Sequence, residues 1–375
     1  MLQRVGFIRI LKETNLSYMH RALEVSKRAI GTCNPNPPVG AVIVKDGSIV
    51  GEGHTSPPGG MHAEKNAIRQ AGKDSDGASL YVTLEPCSHY GRTPPCTLEI
   101  IDAGIKEVHI GIKDPDTRVN GKGIEELKRN GLSVYVGDMS QECRTSMEAH
   151  VKLMETGIPF VTAKFAASLD GKIATSSGES QWITGEDARD CAHKIRFRND
   201  AIMVGIGTVI ADDPRLTVRG NDFGEDIRQP TRIVIDSKGR IPSSSTLLYE
   251  KGDTIVVTGD NQIVRDFPSS VSLKGFPGMD NRVDLSQTLK YLGTIPISSI
   301  LVEGGAELLG SLFDCKLVDK VEAFLSPTII GGIESKSAVL GNGASVMSEI
   351  VRLSNVEVTN IGDDVQISGY CINLS

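Results

Sequence analysis

The stretch Leu84-Glu85-Pro86-Cys87-Ser88-His89-Tyr90-Gly91-Arg92-Thr93-Pro94-Pro95-Cys96 follows a short apolar strand, Leu80 to Leu84, and runs into a predicted helix, Thr97 to Ala103. Upstream, His62-Ala63-Glu64 opens another predicted helix that ends by Gly72. Their side chains include the imidazole of His62, the thiols of Cys87 and Cys96 and the carboxylate of Glu64. Zinc prefers imidazole nitrogen and thiolate sulfur, and a catalytic zinc keeps a fourth position for water. His62, Cys87 and Cys96 make three protein ligands and leave that position open. Water held there ionises near neutral pH, and Glu64 can take its proton and hand it to a leaving amine. His62 and Cys96 fall at predicted helix N-termini, which favour thiolate over thiol. Residues two apart do not share a helix face, so His62 and Glu64 meet one site only if it lies off the helix end. Any one of these residues alone reads as a buried cysteine or a core histidine; the combination reads as a metal site. His89, between the cysteines, would close the site to water as a fourth ligand and is given a structural or substrate role.

Outward from this centre the chain alternates. Residues 18–30 read as a helix, and Asn34-Pro35-Asn36-Pro37-Pro38 as a rigid loop. Val39–Val44 and Ser48–Gly51 read as two strands joined by Asp46-Gly47, a tight-hairpin dipeptide. Glu107–Ile112, Ile124–Arg129 and Ser133–Val136 continue as strand, helix, strand. A hairpin followed by alternating helices and strands predicts a three-layer α/β/α domain over residues 17–156. Thr156-Gly157-Ile158-Pro159 reads as a linker, and a second α/β domain spans 159–375. Its predicted strands are Val161–Ala166, Ala201–Val204, Arg232–Ile235, Thr254–Val257, Ser299–Val302, Val356–Thr359 and Val365–Cys371, in a mixed sheet. Its predicted helices include Glu186–Phe197 and Ala306–Phe313.

A chain of 375 residues exceeds one typical core, and 39% hydrophobic with 23% charged residues suits a soluble protein of two domains. A net charge of −7 argues against broad binding of nucleic-acid backbones or anionic membranes. No apolar run reaches the roughly 20 residues of a membrane span. Met1 to Asn15 lacks the pattern of a signal peptide, and residues 1–16 read as a loose extension. Seven scattered cysteines in large domains point to reduced thiols and a cytoplasmic protein.

His-x-Glu followed by Pro-Cys matches the signature of the zinc deaminases that act on pyrimidines and adenine. The departure is that eight residues separate Cys87 from Cys96, where that signature has two. The insert resolves the departure. Leu84 to Cys96 resembles the bifunctional riboflavin-biosynthesis deaminase/reductase (RibD) family. So do Pro35-Asn36-Pro37-Pro38-Val39-Gly40-Ala41-Val42-Ile43-Val44 and Asp114-Pro115 followed by Asn120-Gly121-Lys122-Gly123. In the second half, Ser168-Leu169-Asp170-Gly171-Lys172, Gly178 to Thr184, Asp212-Asp213-Pro214-Arg215-Leu216-Thr217 and Leu301-Val302-Glu303-Gly304-Gly305 carry the same likeness. It covers roughly residues 17–372.

The resemblance implies a cytidine deaminase-like domain followed by a dihydrofolate reductase-like domain, a hydrolase joined to an NADP-dependent oxidoreductase. It implies loss of an amino group from 2,5-diamino-6-(5-phosphoribosylamino)pyrimidin-4-one, then NADPH reduction of the ribosyl group to ribityl, with one Zn2+ per chain. It makes His62, Cys87 and Cys96 the zinc ligands and Glu64 the proton shuttle. Asn36 and His54 become deaminase substrate contacts, with His54 in a loop lining the pocket. Lys65 and Asn66 depart from the family pattern without removing a ligand.

The reductase half carries a weaker signal of its own. Val204-Gly205-Ile206-Gly207-Thr208 lacks the third glycine of a dinucleotide loop and reads as a strand-end turn. Glu303-Gly304-Gly305-Ala306-Glu307, between a strand and a helix, could hold a cofactor phosphate on backbone amides. The resemblance implies cofactor contacts at Ala166, Trp182, Thr208, Asp212, Ser237 and the run Gly305, Ala306, Glu307, Leu308, Leu309, Gly310, Ser311. It implies substrate contacts at Ser180, Arg196, Leu216, Arg219 and Glu303. The two arginines suit a ribose phosphate; without the resemblance they are solvated surface, and Trp182 is a packing residue. Asp212 and Glu303 are the candidate proton donors. The partners expected are a phosphorylated pyrimidine, with no nucleic acid and no membrane, and a homo-oligomer is open. The alternatives are a nucleic-acid or nucleoside deaminase with an accessory domain, a structural zinc module fused to a binding domain, and a chain in which one half alone is active.

Overall fold

The computed structural model describes residues 15–90, 94–117, 119–220, 223, 227–260 and 265–372. It divides into two compact units, Met1–Gly157 and Ile158–Ser375. The expectations of a loose extension over residues 1–16 and of no signal peptide fall, up to residue 14, outside the described residues. Residues 15–26 are already helical (α1), so the first helix starts three residues earlier than its apolar pattern suggests and ends sooner, before the Asn-Pro loop.

Unit 1 is built on β1 (Gly40–Lys45), β2 (Ser48–His54), β3 (Ser79–Leu84), β4 (Glu107–Ile112) and β5 (Ser133–Val136), in the order β2-β1-β3-β4-β5. Asp46 and Gly47, both at positive φ, close the β1–β2 hairpin with Lys45 opposite Ser48. β1 runs antiparallel to β3, and β3, β4 and β5 are mutually parallel. Strand alternation sorts the apolar residues onto two faces. Ala41, Ile43, Leu80 and Val82 pack against α2 (Ala63–Ala71), α3 (Cys96–Asp102) and α4 (Lys122–Arg129). Val42, Val44 and Tyr81 pack on the other face against α1 and α5 (Ser140–Ser146). Helix α6 (Glu148–Thr156) completes the unit. The three-layer arrangement is as expected; α5 and α6 carry no strong cap or periodicity and went unread.

Unit 2 holds nine strands. They are β6 (Phe160–Ser168), β7 (Ala201–Gly205), β8 (Thr231–Ile235), β9 (Thr254–Thr258), β10 (Val271–Gly275), β11 (Ser299–Glu303), β12 (Lys320–Ser326), β13 (Arg352–Ile361) and β14 (Asp364–Ile372). Their order is β10-β9-β8-β7-β11-β6-β12-β14-β13, parallel from β10 to β12 and antiparallel for the last two strands. This is the mixed sheet the tail pattern predicts; β10 and β12 were not anticipated. From β6 the chain passes to β7 and outward to β10, then returns through β11 and β12 on the other side of β6. The strand order thus reverses around β6, β11 and β7, where an open sheet offers a crevice beyond its carboxyl ends. Helices α9 (Leu285–Gly293) and α10 (Ala306–Asp314) cover one face, and α7 (Glu186–Arg198) and α8 (Ile206–Asp212) the other.

Candidate active sites in the two units

In unit 1 the three candidate metal ligands come from three element ends. His62 is the N-cap of α2 with extended backbone (ψ 166°), so its ring lies off the helix end while Glu64 sits in the first turn. This is how residues two apart reach one site. Cys96 is the first residue of α3, after Pro95, and Cys87 lies in the loop that leaves β3. The Cys96 Sγ is 3.2 Å and the Cys87 Sγ 3.7 Å from His62 Nδ1, and all three ligand atoms lie within 4.8 Å of one another. Tetrahedral zinc with bonds of about 2.0 Å to nitrogen and about 2.3 Å to sulfur needs N···S edges of about 3.6 Å. The donor set therefore fits one zinc ion. Among the described residues the group has three members, and His89 is exposed and outside it.

Charges in this pocket are set by burial and by the sulfurs. The Cys96 thiol and amide and the His62 ring favour the thiolate of Cys87 and hold its pKa well below the usual thiol range, against the effect of burial. Cys96, which donates to it, is pushed up, and Cys87 pushes the His62 ring up. Glu64 is buried, and burial first, then the Cys87 charge, raises its carboxyl to about 6.

The supports around the ligands explain several motif residues. Buried Glu85 accepts four backbone N–H bonds, from Asp114 (3.2 Å), Gly121 (2.9 Å), Gly123 (3.0 Å) and Ile124 (3.2 Å). It pins the Asp114–Gly123 loop beneath the Cys87 loop, and a Cβ on Gly123 would stand 2.1 Å from the Pro86 carbonyl oxygen. Two motifs far apart in sequence are thus one structural unit. The family departures are struts: Lys65 pairs with Glu99 at 2.6 Å, tying α2 to α3. The Asn66 amide donates to the His54 carbonyl at 2.8 Å. His54 ends strand β2, opposite Gly40, and is not in a loop; burial lowers its pKa. Asn36 is half-buried in the Pro-rich loop before β1.

In unit 2 a cleft of about 2000 Å³ opens at the switch in strand order. That exceeds the roughly 300–1,000 Å³ of a typical single-ligand site. Every reductase residue named from the sequence lines it except Gly310. Gly310 faces away: a Cβ there would stand 1.8 Å from the Leu340 carbonyl oxygen, so this glycine serves close packing. The segment Val204 to Thr208 is more than a turn, because Gly205 caps α8. Gly304 and Gly305, at φ +82° and +83°, lead into α10, and a Cβ on Gly305 would approach the Gly205 nitrogen to 3.4 Å. The two glycine loops, from neighbouring strands β7 and β11, therefore adjoin. Trp182 is not packed: it is 71% exposed, with the Arg189 guanidinium 4.6 Å above its ring.

The floor of the cleft is a buried charge cluster. Arg196 of α7 grips Glu303 at the end of β11 with two bonds of 2.6 Å and donates to the Thr217 carbonyl at 3.1 Å. Glu303 is buried, but Arg196, then Lys164 and His193, hold its carboxyl down at about 2. The Arg196 fork therefore favours its charged form and uses both of its oxygens. Lys164, from β6, is lowered by burial, and His193 is pushed down to about 4 by burial and by Arg196 and Arg219. Arg219 donates through its backbone to His193 Nδ1 (3.2 Å) and through Nη1 to Thr217 Oγ1 (2.6 Å). Leu216 holds φ +52° beside it, a costly conformation for leucine that its buried side chain fixes. Ser180 Oγ donates to Asp212 at 3.3 Å across the cleft mouth. Lys164 and His193 were not singled out from sequence, since neither belongs to a quoted motif.

Comparison with known proteins follows the same division. Residues 12–112 match the family described as cytidine and deoxycytidylate deaminase zinc-binding region, and residues 159–367 match the RibD C-terminal domain. The riboflavin biosynthesis protein RibD of Actinobacillus pleuropneumoniae is 41% identical, over 96% of each chain. That of Escherichia coli K12 is 39% identical, over 93% of this chain and 97% of its own. The solved RibD of Acinetobacter baumannii superposes with a TM-score of 0.87 at 33% identity, covering 96% of this chain and 100% of its own. A Thermotoga maritima structure, described as a diaminohydroxyphosphoribosylaminopyrimidine deaminase/5-amino-6-(5-phosphoribosylamino)uracil reductase, gives 0.84 at 35% identity over 96% and 99%. Identity sustained through both the zinc-binding unit and the cleft-bearing unit means that this chain belongs to the RibD family, the bifunctional deaminase/reductases of riboflavin biosynthesis.

Proposed function

We propose that unit 1 deaminates 2,5-diamino-6-(5-phosphoribosylamino)pyrimidin-4-one and that unit 2 reduces the ribosyl group of the resulting 5-amino-6-(5-phosphoribosylamino)uracil to ribityl with NADPH. The name of the Thermotoga maritima relative carries the same two reactions. The observation that carries the reading is the three-ligand set His62, Cys87 and Cys96 converging beside a buried, protonatable Glu64.

In unit 1, His62, Cys87 and Cys96 would hold zinc, which when bound supplies water ionised near neutral pH. Glu64 exchanges a proton in that same range, so it accepts one from the attacking water and delivers it to the departing amine. Asn36 and His54 orient the pyrimidine. In unit 2, NADPH when bound would supply the hydride that reduces the ribosyl group. The amides of Gly305 and the first turn of α10, with Ala166, Trp182, Thr208 and Ser237, form its bed. Arg219 takes the substrate phosphate with Ser180 and Leu216 beside it. Arg196, its fork spent on Glu303, fixes that cluster in place, and Asp212 is the remaining carboxyl for proton delivery. The seven cysteines, with no disulfide among the described residues, support a cytoplasmic protein, and a net charge of −7 supports a free small molecule as substrate in place of nucleic acid. A homo-oligomer is compatible with this reading.

The test is a coupled assay of ammonia release and NADPH oxidation on the diaminopyrimidine. Both signals are expected. Glu64→Gln should abolish ammonia release while zinc content stays at one per chain. Wild-type ammonia release by that variant would refute the proton-carrying role.

A further inference from the structure

Helix α7 carries a side chain with half of its hydrogen-bonding capacity unused. His193 lies one turn before Arg196, on the same face of α7, and lines the unit 2 cleft. Its Nδ1 accepts the backbone N–H of Arg219 at 3.2 Å. A backbone amide nitrogen only donates, so Nδ1 carries no proton and the hydrogen of the neutral ring sits on Nε2. Among the described residues Nε2 has no hydrogen-bond partner, and it is open to solvent. The imidazole is thus fixed from one side and presents one N–H donor from the other.

The surroundings indicate what that donor meets. Glu303 is taken by Arg196, and Glu250 by Arg215. Arg219 donates to the Thr217 hydroxyl and, among the described residues, pairs with no carboxylate. Burial, then Arg196 and Arg215, work against its charge, so an anion beside it would be stabilised. His193 is tied to Arg219 by the backbone bond and stands at the same place. The charged groups facing the ring are Arg196 and Asp190 on its own helix, Arg219 from the segment after α8, and Glu303 from β11. Burial, then Arg196 and Arg219, push the ring down to about 4, so it is uncharged at neutral pH. An uncharged N–H still bonds an ionised oxygen strongly, because one partner carries charge.

We propose that His193 donates its Nε2–H to a phosphate oxygen of the ribosyl substrate, as an uncharged companion to Arg219. The assignment rests on the proposed reductase reading and deepens it. Two substitutions separate the ring nitrogens. Asparagine puts an amide near Nδ1 and nothing at Nε2, whereas glutamine puts an amide near Nε2 and leaves Nδ1 empty. The assay is NADPH oxidation by the full chain on 5-amino-6-(5-phosphoribosylamino)uracil. His193→Asn should raise KM for the uracil substrate at least about tenfold and leave KM for NADPH within about twofold. His193→Gln should keep the substrate KM within about threefold of wild type. If His193 serves to hold the Arg219 segment and nothing more, the order reverses, with His193→Gln impaired and His193→Asn close to wild type; that result overturns the assignment. The His193→Asn penalty should be equal at about pH 6 and about pH 8, since a neutral donor does not titrate there. A penalty that vanishes by about pH 8 would mean a cationic imidazole and also overturns it. Either variant decides alone if the other does not fold. A third measurement needs no variant: nitrogen NMR of the wild-type His193 ring should show Nε2 shifting on addition of ribose 5-phosphate, and an unmoved Nε2 signal in the bound state overturns the assignment. Absence of NADPH oxidation by wild type overturns the reductase reading itself.

Discussion

Replacing Glu303 with glutamine tests the buried charge cluster most directly. The carboxylate is held at about 2 against an ordinary value of 4.5. At about 1.4 kcal/mol per tenfold change, the surroundings, after the opposing cost of burial, favour its charged form by a net of about 3 kcal/mol. Glutamine removes the charge and leaves the Arg196 guanidinium buried against a neutral amide, which points to a loss of similar size. A depressed carboxylate stabilises the fold above its unfolded pKa, because the unfolded chain binds more protons in acid. The contribution is therefore full above pH 4.5 and drains away as pH falls toward 2. Glu303→Gln should be less stable than wild type by about 3 kcal/mol at pH 7, with the gap closing to roughly half of that at pH 3. Urea unfolding followed by tryptophan fluorescence reads the right half of the molecule, since Trp182 is the sole tryptophan and lies in unit 2 under Arg189. A gap below about 1 kcal/mol at pH 7, or one that does not narrow in acid, refutes the argument.

Three further outcomes follow from the geometry. Glu85→Ala strips four amides of their acceptor and should destabilise unit 1 by at least about 3 kcal/mol and lower its zinc occupancy, read by unfolding and metal analysis. Gly310→Ala drives a methyl into the Leu340 carbonyl and should cost about 2 kcal/mol or more, while Gly207→Ala, with nothing within 4 Å, should leave unit 2 stability unchanged in the same denaturation. Stripping zinc with a strong chelator should end ammonia release and leave the Trp182 unfolding transition where it was; a shifted transition would contradict separate cores.

What could be read from the sequence follows the range of the interactions. The candidate zinc ligands were legible because His-x-Glu and two Pro-Cys segments occur together, although none of them is diagnostic alone, and the Asp46-Gly47 hairpin because its turn chemistry is local. The α7 and α10 helices and most strands announced themselves through apolar period. Helices α5 and α6 and strands β10 and β12 did not, because tertiary packing makes them what they are. The role of Glu85 was invisible since its partners are backbone amides, which leave no residue signature. Arg196 and Glu303 are 107 residues apart in the chain. Each was named by resemblance as a substrate contact; that they are each other's partner, with Lys164 and His193 beside them, is a product of strand order.

The two units use the same residue type in opposite ways. Glu64 and Glu303 are both buried glutamates beside a cleft or metal site at an element end. Burial alone penalises the charge of each. At Glu64 no cation from the protein side chains outweighs burial, and the neighbouring Cys87 thiolate adds to it, so the carboxyl rises to about 6. At Glu303 a bidentate arginine and a lysine outweigh burial, and the carboxyl falls to about 2. A group that titrates near neutrality can ferry protons; one pinned as an anion can only hold geometry and field. That difference suits Glu64 to the proton-carrying role proposed for unit 1 and Glu303 to holding its cluster together in unit 2.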